Sequence, residues 1–138
     1  MLLAPPMTST KAPRVKAPRV LVVDDHELTR CTLKLALGMQ CDIAGVDVAC
    51  NGKEALTKMQ SQPVDVVLLD LHMPVMDGWT ASNYIRERFP HTKIVVYSAA
   101  EGSKKQAVAN GAQVDAFCDK GACTCSLLAT IRQVLAEA

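Results

Sequence analysis

The sequence lacks any long hydrophobic run, and no stretch approaches the roughly 18 apolar residues of a membrane-spanning helix. We also expect no secretory leader, because Met1–Ala4 is followed at once by two prolines. At 138 residues, 49% hydrophobic and 21% charged, the chain has the composition of one globular domain with a tail, which excludes disorder throughout. We therefore expect a cytoplasmic protein with no membrane segment.

The six cysteines lack the pattern of a disulfide framework or a metal site. Cys123 and Cys125 are separated by one residue, and zinc sites need a wider gap and a second ligand pair. Cys31 is predicted on the apolar face of a helix and Cys118 in a strand, where cysteine usually serves as a small hydrophobic side chain. We expect reduced thiols, as in a cytosol.

Acidic residues are absent from the first 19 positions, which hold two lysines and two arginines. The whole chain has 15 basic and 14 acidic residues, so the rest has 11 basic against 14 acidic residues, a net charge of −3. The same segment carries a tandem Lys-Ala-Pro-Arg-Val repeat at 11–15 and 16–20, and proline favours extended backbone. We predict a flexible basic leader over 1–18 and a folded domain over 19–138. Four basic residues are too few to bind nucleic acid well alone.

Short apolar runs alternate with helical patterns along the rest of the chain. Strict alternation of five strands and five helices predicts an α/β fold with a doubly wound five-stranded parallel sheet. In the first helix, the spacing of Leu28, Cys31 and Leu35, together with Thr32, predicts the face that packs on the sheet. The predicted strands cover 20–23, 46–48, 64–69, 94–97 and 115–118, and the predicted helices cover 27–38, 52–61, 79–89, 104–110 and 124–137.

Polar residues follow four of these strands at the point where each strand ends. The pair Asp24-Asp25 follows the first strand, Asp70 the third, Ser98 the fourth, and Lys120 comes just after the fifth. Because the carboxyl ends of parallel strands meet at one edge of the sheet, these side chains are expected to converge.

Three neighbouring carboxylates would repel one another, and a divalent cation such as Mg²⁺ with its preference for oxygen ligands would relieve the repulsion. Helix capping explains one aspartate of the pair at most. Asp70 is ionised at neutral pH, so it can act as a nucleophile on a phosphoryl group without a general base. Lys120 would supply positive charge and Ser98 a hydrogen bond to the phosphoryl oxygens, giving an aspartyl phosphate.

With these motifs, the chain resembles the receiver domain of bacterial two-component response regulators, whose fold is flavodoxin-like. The resemblance runs from about Val20 to Ala136, and five elements in the same order make it specific. These elements are Asp24-Asp25, Asp70, Met73–Gly78, Ser98-Ala99 and Lys120.

The resemblance implies a phosphorylation switch. Asp70 would accept a phosphoryl group from a phosphohistidine on a sensor histidine kinase or a histidine phosphotransfer protein. Asp25 would bind Mg²⁺ (or Mn²⁺) directly and Asp24 mainly through water, with Asp70 and the backbone carbonyl of His72 completing the protein ligands.

The resemblance also implies how the switch is read. Ser98 and Lys120 would bind the phosphoryl group, and Phe117 would change rotamer with the switch. The chemistry would be self-phosphorylation and slow self-dephosphorylation in signal transduction, not metabolic catalysis. A phosphorylation-dependent homodimer is compatible with it, and no residue names the output partner.

Two alternatives stay open at this point. The motif Asp24-Asp25-His26 with Arg30 resembles receivers of the nitrate-response type, so the chain could be the receiver half of a DNA-binding regulator. An aspartate-nucleophile phosphohydrolase would need a second aspartate two residues after the nucleophile, and His72 stands there.

Overall fold

The structure is a computed structural model that describes residues 17–71, 73, 75–98, 114–121 and 123–137. The predicted helix over 104–110 and nearly all of the predicted leader lie outside these residues. None of the helices in the described ranges is long and apolar enough to cross a bilayer. The described strands are β1 (Arg19–Val23), β2 (Gly45–Ala49), β3 (Val66–Leu69), β4 (Lys93–Ser98) and β5 (Ala116–Asp119), and the described helices are α1 (Glu27–Gly38), α2 (Gly52–Ser61), α3 (Gly78–Arg88) and α4 (Thr124–Ala136).

The five strands form one parallel sheet in the order β2-β1-β3-β4-β5. The chain moves to one side of β1 for β2 and to the other side for β3, so the strand order reverses at β1. Val23, Leu69 and Val96 are aligned across the three central strands, which brings the strand ends to one edge. The predicted doubly wound parallel sheet is confirmed, and its reversal point is where ligands bind in such folds.

Helices cover both faces of the sheet, which explains why the central strands read as continuous apolar runs. Alternate residues of β1 point to opposite faces: Val20 and Val22 belong to one core cluster, and Leu21 and Val23 to the other. The first cluster packs under α1 and α4 with Leu33, Leu37, Leu127, Leu128, Ile131 and Val134, and the second packs under α2 and α3 with Ala55, Leu56, Met59, Ala81 and Ile85.

The predicted inner face of α1 is wrong. Leu28 is 80% exposed and Leu35 is 70% exposed, and Cys31 and Thr32 also face solvent. The helix bounds agree with the prediction, so the error lies in the rotation of the helix about its axis.

The face of α1 that packs on the sheet instead carries Leu33 and Leu37, which are 5% and 0% exposed. A hydrogen bond made by Arg30, near the start of α1, fixes this rotation. Arg30 Nη1 donates a hydrogen bond of 2.7 Å to the carbonyl oxygen of Asp24 at the end of β1. Since Arg30, Leu33 and Leu37 share one helical face, tying Arg30 to the strand end turns the two leucines inward.

Candidate functional site

Two acidic side chains follow the paired ends of β1 and β3. Asp24 comes directly after Val23, and Asp70 comes directly after Leu69. Val23 and Leu69 are partners in the sheet register. Their backbones extend the sheet, since Asp70 N donates to Val23 O at 2.9 Å and Asp24 N to Ala49 O at 3.1 Å. Both carboxylates are buried, with exposures of 1% for Asp24 and 4% for Asp70. The strands therefore hold two buried acids side by side.

Lys120 reaches this pair from the end of β5. Its Nζ lies 2.8 Å from Asp24 Oδ2 and 3.2 Å from Asp70 Oδ2. Its backbone N–H donates to the carbonyl oxygen of Ser98 at 3.1 Å, and its ammonium group lies 5.7 Å from the ring centre of Tyr97. The structure thus brings together a lysine and two acids from three strand ends, as the parallel topology predicts.

The acidic group at this edge has the composition of a metal site. Asp24, Asp25, His26 and Asp70 each offer one ligand atom, and these atoms all lie within 4.8 Å of one another. Asp24 Oδ2 and Asp25 Oδ1 are buried, and neither accepts a hydrogen bond of normal geometry in the described part of the chain. Each instead lies at ion-pair distance from a side-chain nitrogen, of Lys120 for the first and His26 for the second. Carboxylate oxygens held this way suit a hard divalent cation.

The charges of Asp24 and Lys120 support each other. Burial opposes the charge on Asp24, but contacts with Lys120 and His26 outweigh it and lower the pKa of Asp24. Burial likewise opposes the charge on Lys120, but Asp24 and Asp70 outweigh it and raise the pKa of Lys120. At neutral pH the centre of the site is therefore an anion–cation–anion arrangement.

His26 and Arg30 contact the site in ways that the sequence motif did not reveal. The backbone N–H of His26 donates to Asp24 Oδ1 at 2.8 Å, and its Nδ1 lies 3.1 Å from the same oxygen. The same Nδ1 is 3.1 Å from Asp25 Oδ1, so the imidazole bridges the two acids. The local signal is the position of His26 two residues after Asp24, where an aspartate commonly accepts a backbone hydrogen bond.

Gly78 lies against the backbone of Asp70 and Leu71. Gly78 N donates to Leu71 O at 3.0 Å, and a Cβ added to Gly78 would lie 2.4 Å from Asp70 O and 2.7 Å from Leu71 Cα. Asp77 caps α3 by accepting a hydrogen bond of 2.9 Å from Thr80 N. Only a glycine leaves room for this close approach, so the position of Asp70 depends on Gly78.

The remaining predicted residues take up separate positions. Ser98 ends β4, is 8% exposed and is aligned with Asp119 of β5. Phe117 is partly buried within β5 and is paired with Val96. His72, whose backbone carbonyl is predicted to bind the metal, lies outside the described residues.

The chain resembles a known protein family and several known proteins over most of its length. Residues 20–132 match the family described as the response regulator receiver domain. A protein-glutamate methylesterase/protein-glutamine glutaminase of Methanosarcina acetivorans is 44% identical over 89 residues, which are 63% of this chain and 25% of that protein. The response regulator protein VraR of Staphylococcus aureus is 35% identical over 99 residues, which are 72% of this chain and 47% of VraR. The chain thus spans between a quarter and about half of these relatives.

Solved structures share the whole architecture. The chemotaxis protein CheY4 of Vibrio cholerae superposes with a TM-score of 0.77 at 28% identity, covering 86% of this chain and 99% of that one. The response regulator TrrA of Thermotoga maritima, solved in complex with Mg(2+)-BeF, gives a TM-score of 0.74 at 29% identity, covering 85% and 98%. A DNA-binding response regulator of the LuxR family from Staphylococcus aureus gives 0.75 at 25% identity, covering 86% and 98%.

Proposed function

This chain belongs to the response regulator receiver domain family, and on that premise we propose that Asp70 is its phosphoacceptor. The donor is a phosphohistidine on a sensor histidine kinase or a histidine phosphotransfer protein. The observation that carries the proposal is the buried Asp70 carboxylate with Lys120 Nζ at 3.2 Å. We place the protein in the cytoplasm, where its six free cysteines would stay reduced.

The topology favours Asp70 over the other acids as the phosphoacceptor. Strand β3 lies between β1 and β4, so Asp70 neighbours both the acids after β1 and Ser98 at the end of β4. Asp24, by contrast, is held on one oxygen by His26 and on the other by Lys120. Asp70 is therefore the acid placed between the candidate metal ligands and the candidate phosphoryl ligands.

Mg²⁺ (or Mn²⁺) is the cofactor that the acidic group fits. We assign Asp24, Asp25 and Asp70 as its side-chain ligands, and the family resemblance adds the backbone carbonyl of His72. The buried oxygens of Asp24 and Asp25 that lack normal hydrogen bonds support this assignment. When bound, the cation supplies positive charge that offsets the negative charge of the phosphoryl oxygens.

In the proposed reaction, an Asp70 carboxylate oxygen attacks phosphorus while the bond from phosphorus to the donor imidazole nitrogen breaks. The imidazole leaves with the bonding electron pair and takes a proton, and Asp70 becomes an acyl phosphate. Lys120 provides positive charge beside the transferred group, and the Ser98 hydroxyl donates to one of its oxygens. Hydrolysis of the acyl phosphate by water later resets the switch.

The energy scale fits a two-state switch. Moving an equilibrium from 1:99 to 99:1 takes about 5.5 kcal/mol, and hydrogen bonds to charged groups contribute about 1.5–3 kcal/mol each. New hydrogen bonds from Ser98 and Lys120 to a phosphoryl group supply a free energy of this order. The free energy that Lys120 loses when it leaves Asp24 has to be subtracted from it. We propose that Phe117 on β5 changes rotamer as Ser98 moves.

A DNA-binding output is our second proposal, with this chain as the receiver half of a larger regulator. It is supported by two relatives: the response regulator VraR, of which the matched residues form 47%, and a DNA-binding response regulator of the LuxR family. The methylesterase relative makes an enzymatic output the competing candidate. A phosphohydrolase acting through Asp70 is disfavoured, because His72 stands where its acid/base aspartate would be.

Acetyl phosphate and Mg²⁺ test the phosphoacceptor by intact-mass measurement. The wild type should gain the mass of one phosphoryl group, and Asp70→Asn should gain none. Asp47→Asn, which removes a carboxylate of β2, is the matched control and should still be phosphorylated. An adduct that survives Asp70→Asn would overturn the assignment. Asp25→Ala should also remove most Mg²⁺ binding.

A further inference from the structure

The outer face of α1 carries a row of apolar side chains with no packing partner in the described fold. Leu28, Leu35 and Met39 are 80%, 70% and 76% exposed, and Cys31 lies exposed between them. These four residues, which we call the α1 ridge, include three of the five large hydrophobic side chains that are most exposed among the described residues. A contiguous row of this kind marks an interaction surface, whereas scattered exposed hydrophobics need no explanation.

The ridge has the spacing of a helix–helix seam. Its members lie at positions i, i+3, i+7 and i+11, which form one stripe along the helix. The opposite stripe, with Leu33 and Leu37, already packs on the sheet. The ridge therefore faces directly away from the sheet, where a second helix can lie along it.

We propose that the α1 ridge pairs with the α1 ridge of a second copy of this chain, the two helices antiparallel across a two-fold axis near Cys31. In this pairing Leu28 of each copy packs against Leu35 of the other, and the two Cys31 side chains meet near the axis. One leucine on each side of Cys31 makes the central part of the ridge complementary to itself, which a two-fold interface requires.

Charge complementarity supports the second copy and fixes the direction of pairing. Glu27 and Lys34 are both exposed and, seven residues apart, lie on the same edge of the ridge. In an antiparallel pair, the same edge of both helices comes together, and the two chains run along it in opposite directions. Glu27 of each copy therefore faces Lys34 of the other. A parallel pair would place this edge against the one that carries Thr29 and Ala36, leaving the charges without partners.

The size of the surface predicts a weak dimer. With 12 residues, α1 is about 18 Å long. One helix pair of this length buries less than the roughly 1,200–2,000 Å² of a stable interface. Self-association should therefore appear only at high protein concentration. It is independent of the phosphoryl chemistry proposed above, because it needs neither Asp70 nor a metal.

Charge exchange tests the pairing by sedimentation velocity of the full chain over a concentration series. Glu27→Lys and Lys34→Glu should each weaken self-association, because each places like charges opposite one another. The double exchange Glu27→Lys/Lys34→Glu should restore it, because the two ion pairs re-form with reversed sign. Leu35→Glu should raise the dissociation constant by about tenfold or more, since it brings an unpaired charge into the seam. Thermal unfolding of each variant checks that α1 still folds.

Cross-linking tests the register. One variant keeps Cys31 and the partly buried Cys118, with the other four cysteines changed to Ser; its matched control keeps Cys50 and Cys118 instead. Treated with a short bis-maleimide, the Cys31 variant should give a covalent dimer and the Cys50 variant should not. Cross-linking of both variants to equal extents would contradict the proposed register.

Three further results would overturn the proposal. The first is a wild type that stays monomeric at the highest soluble concentration. The second is a double charge exchange that fails to restore what the single exchanges remove. The third is that Leu35→Glu leaves the sedimentation unchanged, lowers the rate of phosphorylation by purified sensor kinases, and leaves phosphorylation by acetyl phosphate unchanged. That combination would assign the ridge to binding of the phosphodonor. None of these outcomes bears on whether acetyl phosphate modifies Asp70.

Discussion

Lys120 Nζ lies 2.8 Å from Asp24 Oδ2, so the lysine that follows β5 neutralises the acid that follows β1. The same ammonium group is 3.2 Å from Asp70 Oδ2. The ammonium group that we propose to bind the phosphoryl oxygens thus lies among the proposed metal ligands. Cation binding and Lys120 therefore compete for the same negative charge.

This competition predicts that Lys120→Met binds Mg²⁺ more tightly than the wild type. A unit charge and a double charge several ångströms apart repel by about 1–2 kcal/mol even at the dielectric constant of water, so the affinity should rise about tenfold or more. Titration calorimetry measures it. Arg132→Met, which removes a cation of α4 that pairs with Asp42 in the segment before β2, is the control and should leave the affinity unchanged. Weaker Mg²⁺ binding in Lys120→Met would contradict the competition.

The lowered pKa of Asp24 predicts how the free energy of unfolding depends on pH. A carboxylate whose pKa is lowered by folding stabilises the fold above its unfolded pKa of about 3.9, and this contribution disappears as the pH falls through the folded value. In Lys120→Met, burial is no longer opposed by the lysine, so protonation of Asp24 should cost less. The difference in unfolding free energy between wild type and Lys120→Met should therefore shrink as the pH falls from 7 to 3.5. Urea unfolding at each pH measures it, and a constant difference would count against the ion pair.

The close approach at Gly78 predicts that Gly78→Ala destabilises the domain. Its Cβ would lie 2.4 Å from Asp70 O, so the loop must move, at a cost of about 1–3 kcal/mol or more. The displaced Asp70 should also be phosphorylated more slowly by acetyl phosphate. Gly38→Ala is the matched control, because nothing lies within 4 Å of a Cβ at Gly38, and at the last residue of α1 it should be neutral or stabilise the domain by up to about 1 kcal/mol. Equal effects of the two substitutions would refute this explanation.

Val75 adopts a left-handed backbone with a φ of 72° and is 78% exposed. A β-branched residue is strained there, at a cost of about 1–2 kcal/mol, and asparagine tolerates the conformation better. Val75→Asn should therefore stabilise the domain by about 0.5–1 kcal/mol. Val75→Ala removes the exposed surface but keeps the Cβ, so it should give little of this gain. Thermal unfolding compares the three proteins; no gain for asparagine would rule out strain at this position.

The sheet and its polar edge could be predicted because short apolar runs fix both the strands and their ends. Once β1, β3 and β5 are parallel, the side chains of Asp24, Asp70 and Lys120 must emerge at one edge. Their convergence follows from backbone topology and needs no knowledge of packing. This is why residues far apart in the sequence could be assigned to one site.

The rotation of α1 could not be predicted, because apolar residues occupy both of its faces. Periodicity alone does not distinguish the stripe with Leu28 and Leu35 from the stripe with Leu33 and Leu37. The choice is made by the hydrogen bond from Arg30 to the carbonyl of Asp24, a contact between a helix and a strand end. The bridging of the two acids by His26 is a side-chain contact of the same kind, which no spacing rule encodes.

Chemical trapping of the acyl phosphate shows which aspartate carries the phosphoryl group. The wild type is incubated with acetyl phosphate and Mg²⁺ and then reduced with borohydride, which converts an aspartyl phosphate to homoserine. Peptide mass spectrometry then locates the homoserine. We expect homoserine at position 70 alone, and none in Asp70→Asn. Homoserine at Asp24 or Asp25 in the wild type would contradict this expectation.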